Sequence, residues 1–373
     1  MELQLDTSLI YAIALEGGGA RGAYQVGAWR ALEDAGIRYN AVAGTSVGAL
    51  NGAMMAMRDL ENAEKLWKDI RFSQVMNVDD DTMHRIMNRD FENFDQVKAA
   101  FRTIRDIVRS RGVDVEPLRN LLAEWVDEEK LRSTGVEFFL PTYSLTDREA
   151  LEVSARELPE GDLAGMLLAS AYFPAFRQEQ IGGKNYTDGG VVDSVPISPL
   201  VRRGYENIIV IRLNSPGVQK WVRIPESTTI TTIAPNQDLG NMMNFSSERS
   251  AVNMALGYYD AQKVLYGLKG HTYYIDRTLT ERQAYDLLLP LIQGSATLRE
   301  LNEQLLPKLA DKLRIKGDYY ELFLAVMERL ALTCDLTPFR IRTDREFYDE
   351  VMALRSDDTP DKPDKILDLF LTE

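Results

Sequence analysis

Gly44-Thr45-Ser46-Val47-Gly48 is a G-x-S-x-G sequence set between a short apolar stretch and a run of small residues. A nucleophilic serine needs its hydroxyl raised on a tight turn, and flanking glycines remove side chains that would clash there. A helix beginning at the serine would aim its first N–H groups at the site and favour negative charge. The same residues also suit a plain turn whose serine caps a helix. Upstream lies a second glycine cluster, Gly17-Gly18-Gly19-Ala20-Arg21-Gly22. Consecutive glycines let backbone N–H groups approach a ligand, as in an anion cradle or an oxyanion hole. No Gly-Lys-Ser/Thr follows, so this is not a Walker A loop. It resembles a dinucleotide fingerprint only loosely, because the second strand leads to the serine rather than to an acidic ribose contact. The third group, Asp188-Gly189-Gly190, combines common turn formers with a carboxylate that could act as a base.

A Ser-His-Asp triad would need His84 or His271, since the chain holds 2 histidines. The order Ser46, Asp188, His271 matches that of α/β-hydrolases. Two readings stand on these residues. One is a histidine-dependent serine esterase using His271. The other is a non-enzymatic anion- or nucleotide-binding module built on the glycine loop. Arg21 offers a planar, bidentate donor. Pinning the glycine loop from behind is favoured for it over holding an anionic headgroup.

The elements that must carry these residues follow from apolar patterning. Residues 11–15 and 41–44 read as short buried strands, and residues 23–35 and 47–57 as the helices behind them. Strand, glycine turn and helix, repeated, predicts a parallel sheet covered by helices. Residues 60–131 show no strand pattern and read as a helical insertion. Strand character resumes at 136–142, 150–154 and 207–213, with helices at 163–170 and 246–268 and an edge strand at 271–275. Beyond Thr280 helical patterns follow one another, and the segment from 356 to 364 is polar and proline-containing. The expected organisation is one α/β domain over 1–277, with its insertion at about 60–131, and a C-terminal helical extension over 278–373.

The three motifs, in this order, resemble those of the patatin-like phospholipases. The G-G-G-x-R-G loop corresponds to Gly17–Gly22, and G-x-S-x-G to Gly44–Gly48. An Ala-Ser-x-x-x-Pro-x-Phe block corresponds to Ala169, Ser170, Pro174 and Phe176, and the Asp-Gly-Gly motif to Asp188, Gly189 and Gly190. The resemblance extends over about residues 9 to 275, is nearest to bacterial members, and leaves the helices after Thr280 without a counterpart. It implies a three-layer α/β/α sandwich, Ser46 as nucleophile and Asp188 as base. It also implies an oxyanion hole from the amides of Gly17, Gly18 and Gly19, with Gly18 and Gly19 central. Arg21, Gly22, Gly44, Gly48, Gly189 and Gly190 would support these motifs. The substrate implied is a lipid or phospholipid carboxylic ester, cleaved through an acyl-enzyme. Glu16 stands where plant members carry aspartate, outside the catalytic set.

Composition sets the surroundings. With 57 acidic against 43 basic residues the net charge is −14, so nucleic acid is not expected as a partner. The 1 cysteine, Cys334, excludes a disulfide framework and a cysteine metal cluster, and is expected to be a small buried apolar residue. Neither a metal nor another cofactor is called for. The N-terminus lacks a basic n-region, so no signal peptide is expected, and no apolar window is long enough to span a membrane. The expectation is a cytoplasmic protein with peripheral membrane contact. Residues 97–111 are the candidate for that contact, with Val97, Phe101, Ile104 and Val108 on one helical face beside Lys98, Arg102, Arg105 and Arg109. A cap helix with solvated arginines would show the same pattern.

Overall fold

β1 (Ile10–Leu15) is buried from Tyr11 onward, and its apolar run is continuous because a central parallel strand is covered on both faces. The computed structural model describes residues 1–88, 90, 96, 98, 112–173, 176–292 and 296–356. β1 pairs in parallel with β2 (Arg38–Gly44) on one side and β6 (Asn207–Ile211) on the other. β2 pairs in parallel with β3 (Glu137–Ser144), and β6 with β7 (Thr229–Ile233). β4 (Glu149–Ser154) runs antiparallel along the outer edge of β3, which completes the order β4-β3-β2-β1-β6-β7.

Alternation along these strands builds the two flanking layers. Ala12, Ala14, Ala41, Ala43, Ile208 and Val210 pack on one face with Leu200, from the helix Ser198–Arg202. Leu15, Val42 and Phe138 point the other way, beneath Gly52 of α2 (Val47–Ala56). The sandwich is therefore α/β/α with a mainly parallel sheet, as expected. The described part of 60–131 is built from helices, among them α3 (Leu60–Asp69), Phe72–Val75 and Glu116–Trp125. The basic stripe at 97–111 falls, Lys98 apart, outside the described residues, as does Pro174.

β5 (Tyr186–Thr187) positions the site. It pairs antiparallel with Tyr143 and Ser144, near the C-terminal end of β3. β4 already occupies one edge of β3 there, so β5 takes the edge that β2 occupies lower down. β2 and β3 run parallel, so β5 sits just beyond the C-terminal end of β2. The residue after β2's turn and the residue after β5 are thereby brought together.

Two compact units divide the chain: Leu3–Leu265, and Met1–Glu2 with Tyr266–Glu373. The second unit buries Phe323, Met327 and Leu330 of helix Tyr319–Thr333 against Leu288 and Ile292 of helix Glu281–Ile292 and against Phe347. The strand expected at 271–275 is Tyr274–Asp276. It is no edge of the main sheet but pairs in parallel with Ile341–Thr343 inside this second unit. Cys334 is only half-buried, because it terminates helix Tyr319–Thr333.

Helix α1 (Ala23–Asp34) crosses helix Ser247–Tyr266 where Gly27 meets Gly257. A Cβ on Gly257 would collide with the Tyr24 carbonyl oxygen, and one on Gly27 with that of Met254. Both obstacles are backbone, so neither can rotate away. Gly257→Ala should therefore lower unfolding stability by about 1–3 kcal/mol, read as a lower denaturation midpoint. An unchanged midpoint would show that the crossing is not tight.

Candidate active site

Ser46 lies in the turn between β2 and α2 with φ 55° and ψ −124°, a left-handed conformation that a side chain rarely adopts. Glycines make the turn possible. A Cβ on Gly44 would collide with the Gly48 carbonyl, and one on Gly48 with the carbonyls of Leu15 and Glu16. The Ser46 N–H donates to Ser170 Oγ at 3.1 Å, and Ser170 Oγ donates to the Pro141 carbonyl at 2.7 Å. Ser170 ends the helix Leu163–Ser170, and Pro141 lies in β3. One buried hydroxyl therefore ties the turn to two other elements. Thr45 Oγ1 adds a bond to the Asp193 carbonyl at 2.7 Å.

Asp188 follows β5 directly. Its own N–H donates to the Tyr172 carbonyl at 2.9 Å, and Thr142 Oγ1 lies 3.1 Å from the Thr187 carbonyl and 3.0 Å from that of Ala169. The Asp188 carboxylate is buried and accepts the Gly190 N–H at 2.8 Å. Burial raises its pKa, while hydrogen bonding from the Ser46 side chain and from the Gly190 amide draws it back down. Gly189 has no room for a side chain against the Pro141 carbonyl.

The glycine loop closes over Ser46 from β1. Gly17 packs so near that a Cβ there would be 3.3 Å from the Ser46 Cβ. Its N–H donates to the Ser194 carbonyl at 3.0 Å, so this amide is already committed within the fold. Among the described residues the Gly18 and Gly19 amides have no such partner, and Gly19 takes φ +57° where a Cβ would strike the Met242 carbonyl. Arg21 points away from the cavity and binds backbone. It donates to the carbonyls of Gly240 at 2.9 Å and Asn214 at 3.0 Å. Glu16, fully buried, accepts from Arg212 Nε at 2.9 Å and from the N–H groups of Leu213 and Asn214. Arg21 and Glu16 thus pin the glycine loop to the segment after β6.

These groups face a cavity of about 380 Å³. Ser46, Asp188 and the three glycines line it, and much of the remaining lining is apolar: Leu50 and Met54 of α2, Trp67 of α3, and Leu118, Leu122 and Trp125 of helix Glu116–Trp125. The insertion therefore supplies much of the lining, which sequence patterning did not reveal. Among the described residues, Asp188 is the only ionisable side chain in that lining, and no histidine contributes. His271 belongs to the second unit, where its N–H donates to Glu328 at 2.7 Å. Ser170 was expected as a motif position but not as the partner of the Ser46 N–H, and the buried Asp193, whose pKa burial also raises, was not anticipated as part of this framework. Chemically, the arrangement offers a hydroxyl beside a partly desolvated carboxylate, under two unpaired amides, at the end of an apolar chamber.

A sequence model described as patatin-like phospholipase matches residues 13–201. The lysophospholipase NTE1 of Mycosarcoma maydis is 25% identical over 203 residues, covering 54% of this chain and 10% of that protein. The patatin-like phospholipase domain-containing protein 7 of Rattus norvegicus is 40% identical over 71 residues, covering 18% of this chain and 5% of its own length. The chain thus spans a tenth or less of the length of these curated relatives. The crystal structure of VipD from Legionella pneumophila aligns with TM-score 0.42 and 16% identity, over 96% of this chain and 90% of that one.

Removing the Ser170 hydroxyl strands the Ser46 N–H in a turn that already carries strain. Ser170→Ala should slow fluorophosphonate labelling of Ser46 by roughly fivefold to a hundredfold, on a loss of about 1–3 kcal/mol in turn anchoring. Labelling at the parent rate would show that the bond is dispensable.

Proposed function

This chain belongs to the patatin-like phospholipase family, and from that premise we propose that it hydrolyses carboxylic esters of phospholipids or lysophospholipids through Ser46 and Asp188, without a histidine. The observation that carries the proposal is that Ser46 and the buried Asp188 line one chamber in which, among the described residues, no other ionisable side chain is found.

In the proposed reaction the Ser46 oxygen attacks the ester carbonyl and its proton passes to Asp188. An aspartate is ordinarily a weak base, with a pKa of about 3.9 in water. Burial raises the basicity of Asp188, and contact with the hydroxyl makes proton transfer intramolecular. The amides of Gly18 and Gly19 receive the oxyanion. One well-placed donor of this kind contributes about 3–4 kcal/mol to the transition state. Collapse of the tetrahedral species expels the glycerol-side alcohol, which takes the proton from Asp188 and leaves Ser46 acylated. Asp188 then accepts a proton from water as that water attacks the acyl carbonyl. The acid departs, and the proton returns to Ser46. The chamber supplies the acyl subsite, since its volume lies within the range of roughly 300–1,000 Å³ common for ligand pockets and its walls are apolar.

Ser46→Ala and Asp188→Asn should each lower kcat on p-nitrophenyl esters and lysophosphatidylcholine by at least about a thousandfold with an unchanged melting profile. His271→Ala should retain parent activity, and loss on the scale of Ser46→Ala would instead support a histidine triad. The base acts ionised, so activity must fall as pH drops through the Asp188 pKa. Because burial raises that pKa, the acid limb of kcat/KM should lie above the ordinary aspartate range. Leu122→Trp narrows the apolar end of the chamber and should shift preference toward shorter acyl chains. A uniform loss across chain lengths would place the acyl group elsewhere.

A further inference from the structure

We propose that the segment of residues 216–227, which leaves the rim of the acyl chamber, is a lipid-interface anchor in which Trp221 enters the headgroup region of a membrane and Lys220 and Arg223 bind its anionic lipids. This proposal rests on the lipid-hydrolase reading and adds the surface by which the enzyme reaches its substrate.

Four observations converge on this segment. Its apolar side chains face water: Trp221 is 83% exposed, the highest value for a large hydrophobic among the described residues, and Val218 is 53% and Ile224 38% exposed. Isolated exposed apolar residues are ordinary on a protein surface, but three within seven positions of one loop mark an interaction site. The partner chemistry is written in the same positions. Lys220 and Arg223, both exposed, flank the indole, with Glu226 as the one acidic residue of the segment. Tryptophan between cations is the composition that settles at a lipid–water interface, where the ring is amphipathic and the cations meet lipid phosphates.

The loop is also continuous with the chamber. Pro216 and Gly217 line it, together with Phe173 and Val191, and among the described residues these four are the exposed ones of its lining, so the chamber opens there. Trp221 is four residues beyond Gly217 and therefore within ~14 Å of the opening. Finally, the loop is not free to drift. The Val218 N–H donates to the Gly190 carbonyl at 2.9 Å, the Ser194 N–H to the Val218 carbonyl at 2.6 Å, and the Lys220 N–H to Asp193 Oδ1 at 3.3 Å. The segment that carries Asp188 therefore also holds the anchor, and docking of Trp221 would present the opening to the bilayer.

The test uses the full chain carrying Ser46→Ala, so that lipid is bound and not consumed. Vesicles of phosphatidylcholine, with and without phosphatidylglycerol, are titrated while sedimentation and tryptophan emission are followed. Trp29 and Trp67 are buried and Trp125 half-buried, so Trp221 is the indole that starts in water. Its emission should shift to the blue on phosphatidylglycerol-containing vesicles, and Trp221→Phe should abolish that shift. Trp221→Ala should weaken partitioning by about tenfold. Lys220→Gln with Arg223→Gln should weaken it by roughly thirtyfold on anionic vesicles and little on phosphatidylcholine alone. With Ser46 restored, the same variants should cleave a soluble short-chain ester at the parent rate, showing an intact fold and site. Unchanged partitioning by both sets of variants, or a blue shift that persists in Trp221→Phe, overturns the anchor. The hydrolase reading fails separately, if the parent protein releases no fatty acid from vesicles to which it is bound.

Discussion

Around Ser46 the backbone packs against itself with no side chain between. The carbonyl of Gly48 occupies the place where a Cβ of Gly44 would be, and the carbonyls of Leu15 and Glu16 do the same for Gly48. This contact lets α2 begin directly over the ends of β1 and β2 and forces the serine into a left-handed backbone. Such a conformation costs about 1–3 kcal/mol and persists only where its surroundings over-determine it. Here the restraints come from separate parts of the chain: Ser170 on the N–H of Ser46, Asp193 on the hydroxyl of Thr45, and Ala49 and Leu50 on the carbonyl of Ser46. No single element could hold the turn alone, so the hydroxyl's position depends on the whole C-terminal edge of the sheet.

Two carboxylates buried near that edge show how environment separates roles. Glu16 has a guanidinium and two backbone amides, so its charge is matched and its place is fixed. Asp188 has one amide and the Ser46 hydroxyl, and no cation lines its chamber among the described residues. Desolvation is the largest influence on Asp188, and its hydrogen bonds oppose that influence without cancelling it. The first carboxylate holds architecture. The second keeps an unsatisfied basicity of the kind the proposed proton transfer from a hydroxyl would need. An added arginine beside Asp188 would make it better solvated and a weaker base.

Sequence patterning located the parts whose physics is local. β1 and β2 were legible because buried parallel strands read as apolar runs, and the helix Leu163–Ser170 because it is apolar and followed within a few residues by Pro174. The glycine motifs were legible because turns restrict residue type. β5 was not, since Tyr186 and Thr187 are too few to show a period, and β7 mixes threonine and isoleucine without a regular alternation at an edge that is only half covered. The bond from Ser46 to Ser170 joins residues 124 apart, and no local signal encodes it. The engagement of the Gly17 amide with Ser194 was equally hidden, so Gly17 stood among the expected donors beside the central Gly18 and Gly19, where packing leaves only those two unpaired among the described residues. The two-unit division falls at Leu265, ahead of the change in texture near Arg277, because Tyr274–Asp276 already pairs with a strand of the second unit.

A net charge of −14 and an attraction to anionic lipid are compatible once distance is considered. At physiological salt the Debye length is about 8 Å, so charges across the molecule are screened from a bilayer that touches one face. Beyond that range the protein feels repulsion or nothing, and no steering toward the membrane is expected. Within it, the balance is set by the few groups at the contact, and along 216–227 those are two cations and one anion. Local charge then selects orientation and not encounter rate. If the proposed substrate slides from a bilayer into the apolar chamber, orientation is the scarcer quantity. Most collisions would press an acidic face to the lipid and fail, and only the face bearing Trp221 would be retained.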